Sequence, residues 1–151
     1  MSLARTAIIL LMAMFIPTTL LAQPSLTTIA GKQISWNTLQ GKWVIINYWA
    51  SWCHPCVEEI KELNAFYYRN HSQVSLYGFN YEGVSVQEQK QLIKDFHIDY
   101  PSLSEDPTEE LHLGDIIGVP VTFIWDPQGK PVKTLYGPQT VESLEKIITM
   151  K

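Results

Sequence analysis

The chain has two cysteines, Cys53 and Cys56, and they stand as Cys-His-Pro-Cys directly after a run of β-branched and aromatic residues. A disulfide across that spacing closes a tiny loop and restricts the unfolded chain little, so a purely structural role is a poor use of the pair. Chemistry is the better use. If a helix starts at Cys53, its sulfur faces free backbone N–H groups and the positive end of the helix dipole. Both favour thiolate, and such placement lowers a cysteine pKa from ~8.5 into roughly the 3.5–7.5 range. Cys56, one turn further on, is then placed to attack a mixed disulfide formed at Cys53. Pro55 suits the first helical turn, where its missing N–H is harmless. His54, when protonated, stabilises the thiolate further and moves the pair toward a better oxidant. Zinc would need two more ligands, and His71, His97 and His112 are scattered without ligand spacing. No metal and no cofactor is expected.

The flanking sequence positions this pair. Trp43 to Ala50 reads as a central strand, its Trp-Val-Ile-Ile-Asn-Tyr-Trp run suited to burial on both faces. From Val57 the spacing turns helical, with apolar Val57, Ile60, Leu63 and Phe66 separated by Glu58, Glu59, Lys61 and Glu62. The predicted helix runs from about Cys53 to Arg69 and stops at Asn70-His71-Ser72. Val74 to Asn80 reads as a strand, Ser85 to Phe96 as a helix and Tyr100 to Leu103 as a short extended piece, which implies parallel pairing through a right-handed crossover. One or two helical turns are expected over Thr108 to Leu113. Gly118-Val119-Pro120 leads into a strand over Val121 to Trp125, the Asp126-Pro127-Gln128-Gly129 turn follows, and Lys130 to Tyr136 returns as a hairpin partner. Pro138 and Thr140 open a last amphipathic helix with Val141, Leu144, Ile147 and Ile148 on one face. The predicted fold class is α/β, a mixed sheet flanked by helices on both faces.

At 151 residues and 46% apolar composition the chain suits one domain with a real core. A net charge of only −4 and the lack of a basic stretch argue against nucleic acid as a partner. Arg5 followed by the apolar run Ala7 to Ile16, the break at Pro17 and the small residue Ala22 together read as a secretory signal peptide. The alternative is a retained membrane anchor, although the uncharged stretch falls short of the ~20 residues a spanning helix needs. The expected organisation is signal peptide or anchor over residues 1–22, a polar tether over 23–28, and one domain over 29–151. That domain faces an oxidising compartment, a periplasm.

Trp-Ala-Ser-Trp-Cys-His-Pro-Cys after a buried strand, Gly118-Val119-Pro120-Val121-Thr122-Phe123 before a later one, and Asp126-Pro127-Gln128-Gly129-Lys130 in a hairpin resemble thioredoxin-like proteins. The Gly31-Lys32-Gln33-Ile34 and Leu39-Gln40-Gly41-Lys42-Trp43 pieces, with the insertion around Val74 to Phe96, resemble the secreted or anchored TlpA/ResA/CcmG branch. The resemblance implies an attacking Cys53, a buried resolving Cys56, and a cis-proline at Pro120 whose preceding Val119 pairs with a substrate peptide as an added strand. It also implies Trp52 and Trp49 flanking the site. Thioredoxin has a buried aspartate in its central strand; here that position is Asn47, which cannot titrate. Glu59, three residues after Cys56, also fits the branch, and Glu82 is the candidate acidic residue near the end of the following strand.

The resulting expectation is a thiol-disulfide oxidoreductase acting on protein disulfides. By resemblance it is reductive, fed by a membrane thiol reductase of the DsbD/CcdA kind and serving a client such as apocytochrome c; a monomer is expected. The alternatives are a DsbA-like oxidant or isomerase, which His54 favours and Glu58, Glu59 and Glu82 oppose, and a non-catalytic peptide-binding module. A peroxidase-like thiol enzyme would require a different local motif.

Overall fold

A strand buried on both faces has to be covered on each, and the fold grows around one such stretch, Trp43–Trp49, which is buried from Val44 onward. The computed structural model describes residues 24–150, so the expected signal peptide or anchor over residues 1–22 lies outside the described residues. The elements are β1 (Ser25–Thr27), β2 (Gln33–Ser35), a 3₁₀ turn (Trp36–Leu39), β3 (Trp43–Trp49), α1 (His54–Asn70) and β4 (Val74–Asn80). Then come α2 (Val86–Asp95), β5 (Ser102–Leu103), β6 (Val121–Trp125), β7 (Pro131–Tyr136) and α3 (Val141–Ile148).

The five-stranded sheet has the order β5-β4-β3-β6-β7. β3 lies in its centre, parallel to β4 and antiparallel to β6. Side chains alternate along β3 and build two cores. Ile45 and Trp49 join Leu76, Ile124 and the apolar faces of α1 and α3, with Leu92, Ile93 and Phe96 packed against them. Val44, Ile46 and Tyr48 face the other way, into Tyr77, Phe79, Phe123 and Trp125.

The second layer differs in kind from the helical one expected. The three α-helices pack on the first core, whereas Leu26, Ile34, Leu39 and partly buried Trp36, Leu111 and Leu113 cover the second. The covering elements are therefore the β1–β2 hairpin, the single 3₁₀ turn and the loop before β6. Over Thr108 to Leu113 the expected helix reduces to hydrogen-bonded turns, because His112 adopts φ 53° and Gly114 φ 75°, which a right-handed helix cannot accommodate.

The expected tether is also corrected. Its polar composition hides a period of two, in which Leu26 points inward between outward Ser25 and half-buried Thr27. Leu26 is only 3% exposed and sits opposite Ile34 across the β1–β2 pair. The chain then turns through Ile29 and Ala30, with Gly31 at φ 80°, and enters β2. The hairpin is stitched to β5 by Ile29 N–H to Ser102 O and Ser104 N–H to Thr27 O, both 2.9 Å.

Leu26→Ala is expected to cost about 2–3 kcal/mol, the lower part of the range for a buried leucine truncated in a core. Urea unfolding of the two proteins measures it, and a tether would show no loss.

Candidate active site

β3 ends at Trp49 and the chain turns through Ala50, Ser51 and Trp52 into α1. Cys53 is the N-cap of that helix, in extended conformation at φ −90°, and its sulfur accepts the Cys56 N–H at 3.3 Å. Cys53 and Cys56 form a disulfide with Cα atoms 5.2 Å apart. Pro55 occupies the first turn, as its missing N–H requires. Cys56 is 0% exposed and Cys53 6%, so Cys53 is the more accessible sulfur. Trp52 beside it stands out at 69%. His54 turns away from the sulfurs: its Nε2 lies 3.3 Å from Glu58 Oε1, one helical turn along, on side chains 85% and 65% exposed. Solvent screens such a pair heavily.

The loop entering β6 faces the disulfide. Its Val119–Pro120 bond is cis, and Val119 O lies 3.6 Å from Cys53 Sγ. A disulfide sulfur carries no proton, so this is a contact rather than a hydrogen bond. Pro120 O accepts the Gly137 N–H at 2.9 Å, which fixes the start of β6 against the connection from β7 to α3.

A row of buried polar groups runs beneath Cys56. Counting from Cys56, positions 59, 60 and 63 share one helix face, so Glu59 is carried into the core with Ile60 and Leu63. Glu59 is 2% exposed. Its Oε1 accepts from Asn47 Nδ2 at 2.8 Å and its Oε2 from the Gln139 N–H at 2.7 Å. Burial pushes its carboxyl up to about 7, and these two bonds hold it from going higher. Asn47 Nδ2 also reaches Thr122 Oγ1 at 3.1 Å, which joins the helix, β3 and β6. Tyr100 is buried on the same side, packed over Gly78, where an added Cβ would lie 2.9 Å from its ring. Its hydroxyl is without a partner, and burial and then the charge of Glu59 drive its pKa upward.

Glu82 lies two residues beyond the end of β4 and faces the turn before Cys53. Its carboxylate accepts from the Ser51 N–H, from Ser51 Oγ at 3.1 Å and from Asn80 Nδ2 at 3.0 Å. Partial burial works to raise its pKa, but the Ser51 and Asn80 bonds prevail and hold it below the usual carboxylate range. It therefore clasps the turn before Cys53 as a charged acceptor. The neighbouring Tyr81 hydroxyl donates to Ile116 O at 3.4 Å, so one short turn after β4 grips both loops of the site.

The structure thus gathers Cys53, Cys56, Val119 and Pro120, keeps Trp52 and His54 at the rim, and sets Glu82 behind Ser51. Glu59 matches the family pattern, yet a helical frame that begins at Val57 sets it among the polar residues of α1, and only a frame that begins at Cys56 carries it inward. Gln139 and Thr122 enter the site only through long-range packing, which no local pattern signals. Among the described residues no cluster of three or more His, Cys, Asp or Glu is placed to hold a metal ion.

In sequence and in fold the chain is similar to known proteins. The model of the AhpC/TSA family matches residues 19–133. The thiol-disulfide oxidoreductase ResA of Bacillus thuringiensis subsp. konkukian (strain 97-27) is 27% identical over 123 residues, 81% of this chain and 70% of that protein. The sporulation thiol-disulfide oxidoreductase A of Bacillus subtilis (strain 168) is 31% identical over 124 residues, 79% of this chain and 73% of that protein. Among solved structures, a thiol:disulfide interchange protein of the thioredoxin family from Chlorobium tepidum TLS superposes with a TM-score of 0.71 at 28% identity. It covers 85% of this chain and 93% of that one.

Because the Glu59 carboxyl rises from 4.5 to about 7 on folding, the native state holds more protons than the unfolded one across that window. Stability contributed by the neutral form is present below about 4.5 and lost as pH rises through about 7. Glu59→Gln stays neutral throughout. Its stability relative to the unsubstituted protein should therefore grow by about 3 kcal/mol between pH 4 and pH 8, at 1.36 kcal/mol per unit. Urea titrations at the two pH values test this, and a constant difference contradicts it.

Proposed function

This chain belongs to the AhpC/TSA family and is a thiol-disulfide oxidoreductase of the type of ResA and the sporulation thiol-disulfide oxidoreductase A; from that premise we propose that it is an exported reductant of protein disulfides. The observation that carries the reading is the Cys53–Cys56 disulfide at the N-terminus of α1, with Val119 O 3.6 Å from Cys53 Sγ. Reduced Cys53 is the nucleophile. The Cys56 N–H and the helix N-terminus favour its thiolate.

The Cys53 thiolate attacks one sulfur of a client disulfide, forming a mixed disulfide and expelling the client's other sulfur as thiolate. Cys56 then loses its proton and attacks Cys53 Sγ. The second client sulfur leaves, the enzyme disulfide forms, and two electrons have passed to the client. Glu59, buried on the same helix face as Cys56, is the acceptor for the Cys56 proton; its raised pKa suits that exchange near neutral pH. This role falls to Glu59 rather than Glu82, whose oxygens serve Ser51 and Asn80. The client lies extended against Val119, as an added strand. Trp52 at 69% exposure, Ile117 at 80% and Tyr81 at 40% supply an apolar rim for its flanking residues.

The N-terminal Arg5 and apolar Ala7 to Ile16 support export to a periplasm, with residues 1–22 removed as a signal peptide or kept as an anchor. There a membrane thiol reductase of the DsbD/CcdA kind would return the electrons, and an apocytochrome c is a fitting client. The domain over residues 29–151, together with β1 before it, acts as a monomer.

A DsbA-like oxidant is the second reading, favoured by the hydrogen bond from Cys56 N–H to Cys53 Sγ. Against it, His54 leans on Glu58 and a buried carboxylate sits below Cys56. Redox titration against glutathione decides: a potential near thioredoxin's ~−270 mV supports the reductant and one near ~−120 mV the oxidant.

Cys53→Ala should abolish insulin disulfide reduction, and unchanged turnover would overturn the mechanism. Cys56→Ala should accumulate client mixed disulfides on Cys53, seen on non-reducing gels of a periplasmic extract.

A further inference from the structure

Glutamine is mostly an exposed residue, yet Gln139 is 8% exposed, with its side-chain amide and its backbone N–H all hydrogen-bonded. It sits in the connection between β7 and α3. Its Nε2 donates to Gly137 O at 2.9 Å, and its Oε1 accepts from Ser143 Oγ at 3.1 Å. The side chain thus ties the turn both to its own start and to the first turn of α3. With the turn closed, the Gln139 N–H points at Glu59 Oε2, 2.7 Å away. Two residues earlier, the Gly137 N–H holds Pro120 O. Gly137 has φ 85°, a conformation glycine reaches without strain. One turn therefore grips the cis-proline strand and the buried carboxylate together.

Building on the role given above to Glu59, we propose that Gln139 is a positioning residue for the thiol exchange: its side chain locks the turn whose backbone N–H holds the Glu59 carboxylate under Cys56. The groups facing Glu59 are few. On α1 these are Cys56 and Glu62, whose Oε2 accepts from the Val141 N–H at 3.2 Å. From β3 comes neutral Asn47, with Thr122 of β6 behind it, and from the segment before β5 the phenol of Tyr100. Glu59 forms no ion pair among the described residues. The two N–H donors are thus what favours its ionised form, and loosening one moves the carboxyl toward the protonated form.

The test uses Gln139→Ala, which keeps the backbone N–H and removes both bonds that close the turn. The rate at which Cys56 resolves a mixed disulfide on Cys53 is measured against pH, alongside the carbon-13 carboxyl titration of Glu59 in the oxidised protein. The expected result is an upward displacement of both midpoints by about half a pH unit or more, a roughly threefold or greater loss of carboxyl acidity. Thr140→Ala is the structural control. It removes the Thr140 Oγ1 acceptor that caps α3 through the Ser143 N–H at 3.1 Å, so it should lower stability and leave the midpoints in place.

If folded Gln139→Ala titrates as the unsubstituted protein does, or if Thr140→Ala displaces the midpoints equally, the inference is overturned. Should Gln139→Ala fail to fold, Gln139→Met fills the same space without the donor and is judged by the same outcomes. Glu59→Gln separates the two levels. Loss of the midpoint in that variant with no shift in Gln139→Ala rejects the role of Gln139 alone. Persistence of the midpoint in Glu59→Gln rejects the role of Glu59 and the inference with it.

Discussion

A carboxylate taken out of water costs several kcal/mol unless donors replace its hydration, and much of this site follows from one that is so placed. Glu59 is brought inward by α1, the same helix that presents the disulfide. Its two donors come from opposite directions, Asn47 in the central strand and Gln139 at the far end of the chain. Asn47 then reaches on to Thr122, two residues beyond the cis-proline. The cysteine pair, the cis-proline loop and the helix α3 are thereby held against a common point, although 80 residues separate Glu59 from Gln139.

The same division of labour appears above the disulfide. Glu82 holds Ser51, Tyr81 holds Ile116, and Gly137 holds Pro120. None of these three attachments touches sulfur. Each fixes a loop whose position relative to Cys53 sets the geometry of attack, where small displacements are costly in rate. Tyr48 adds a fourth from the opposite face: its buried hydroxyl donates to Asp106 Oδ1 at 2.8 Å and anchors the loop that runs on to Ile116 and Val119.

Much of this was legible in the residues. The run Trp43 to Trp49 and the strand Val74 to Asn80 declared themselves through β-branched and aromatic content, and both occur with those bounds or within a residue of them. Thr140 and Ser85 each cap a helix where the polar-to-apolar change placed its start. The β1–β2 hairpin was less visible, because three-residue strands carry one inward side chain apiece and Leu26 is a weak signal among Ser and Thr. The exchange of a strand aspartate for a helix glutamate was half visible. Asn47 reads in the sequence as a lost base, but its amide gives a hydrogen bond to Glu59 in return, and only the packing of α1 on β3 brings the two together. Gln139 was invisible for the same reason, since its contribution is a backbone N–H whose direction depends on a closed turn.

The stitched hairpin has a further consequence, for the borders of the sheet. β5 has two residues and is overlain by the Thr27–Thr28 backbone, so that border is closed to another strand. β7 is left as the open border. It starts at Pro131, which has no N–H to offer, and carries the cationic Lys133, two of the devices by which sheets deter unwanted pairing. With one border covered and the other carrying a proline and a lysine, the sheet leaves little free backbone for a further strand to pair with at either edge.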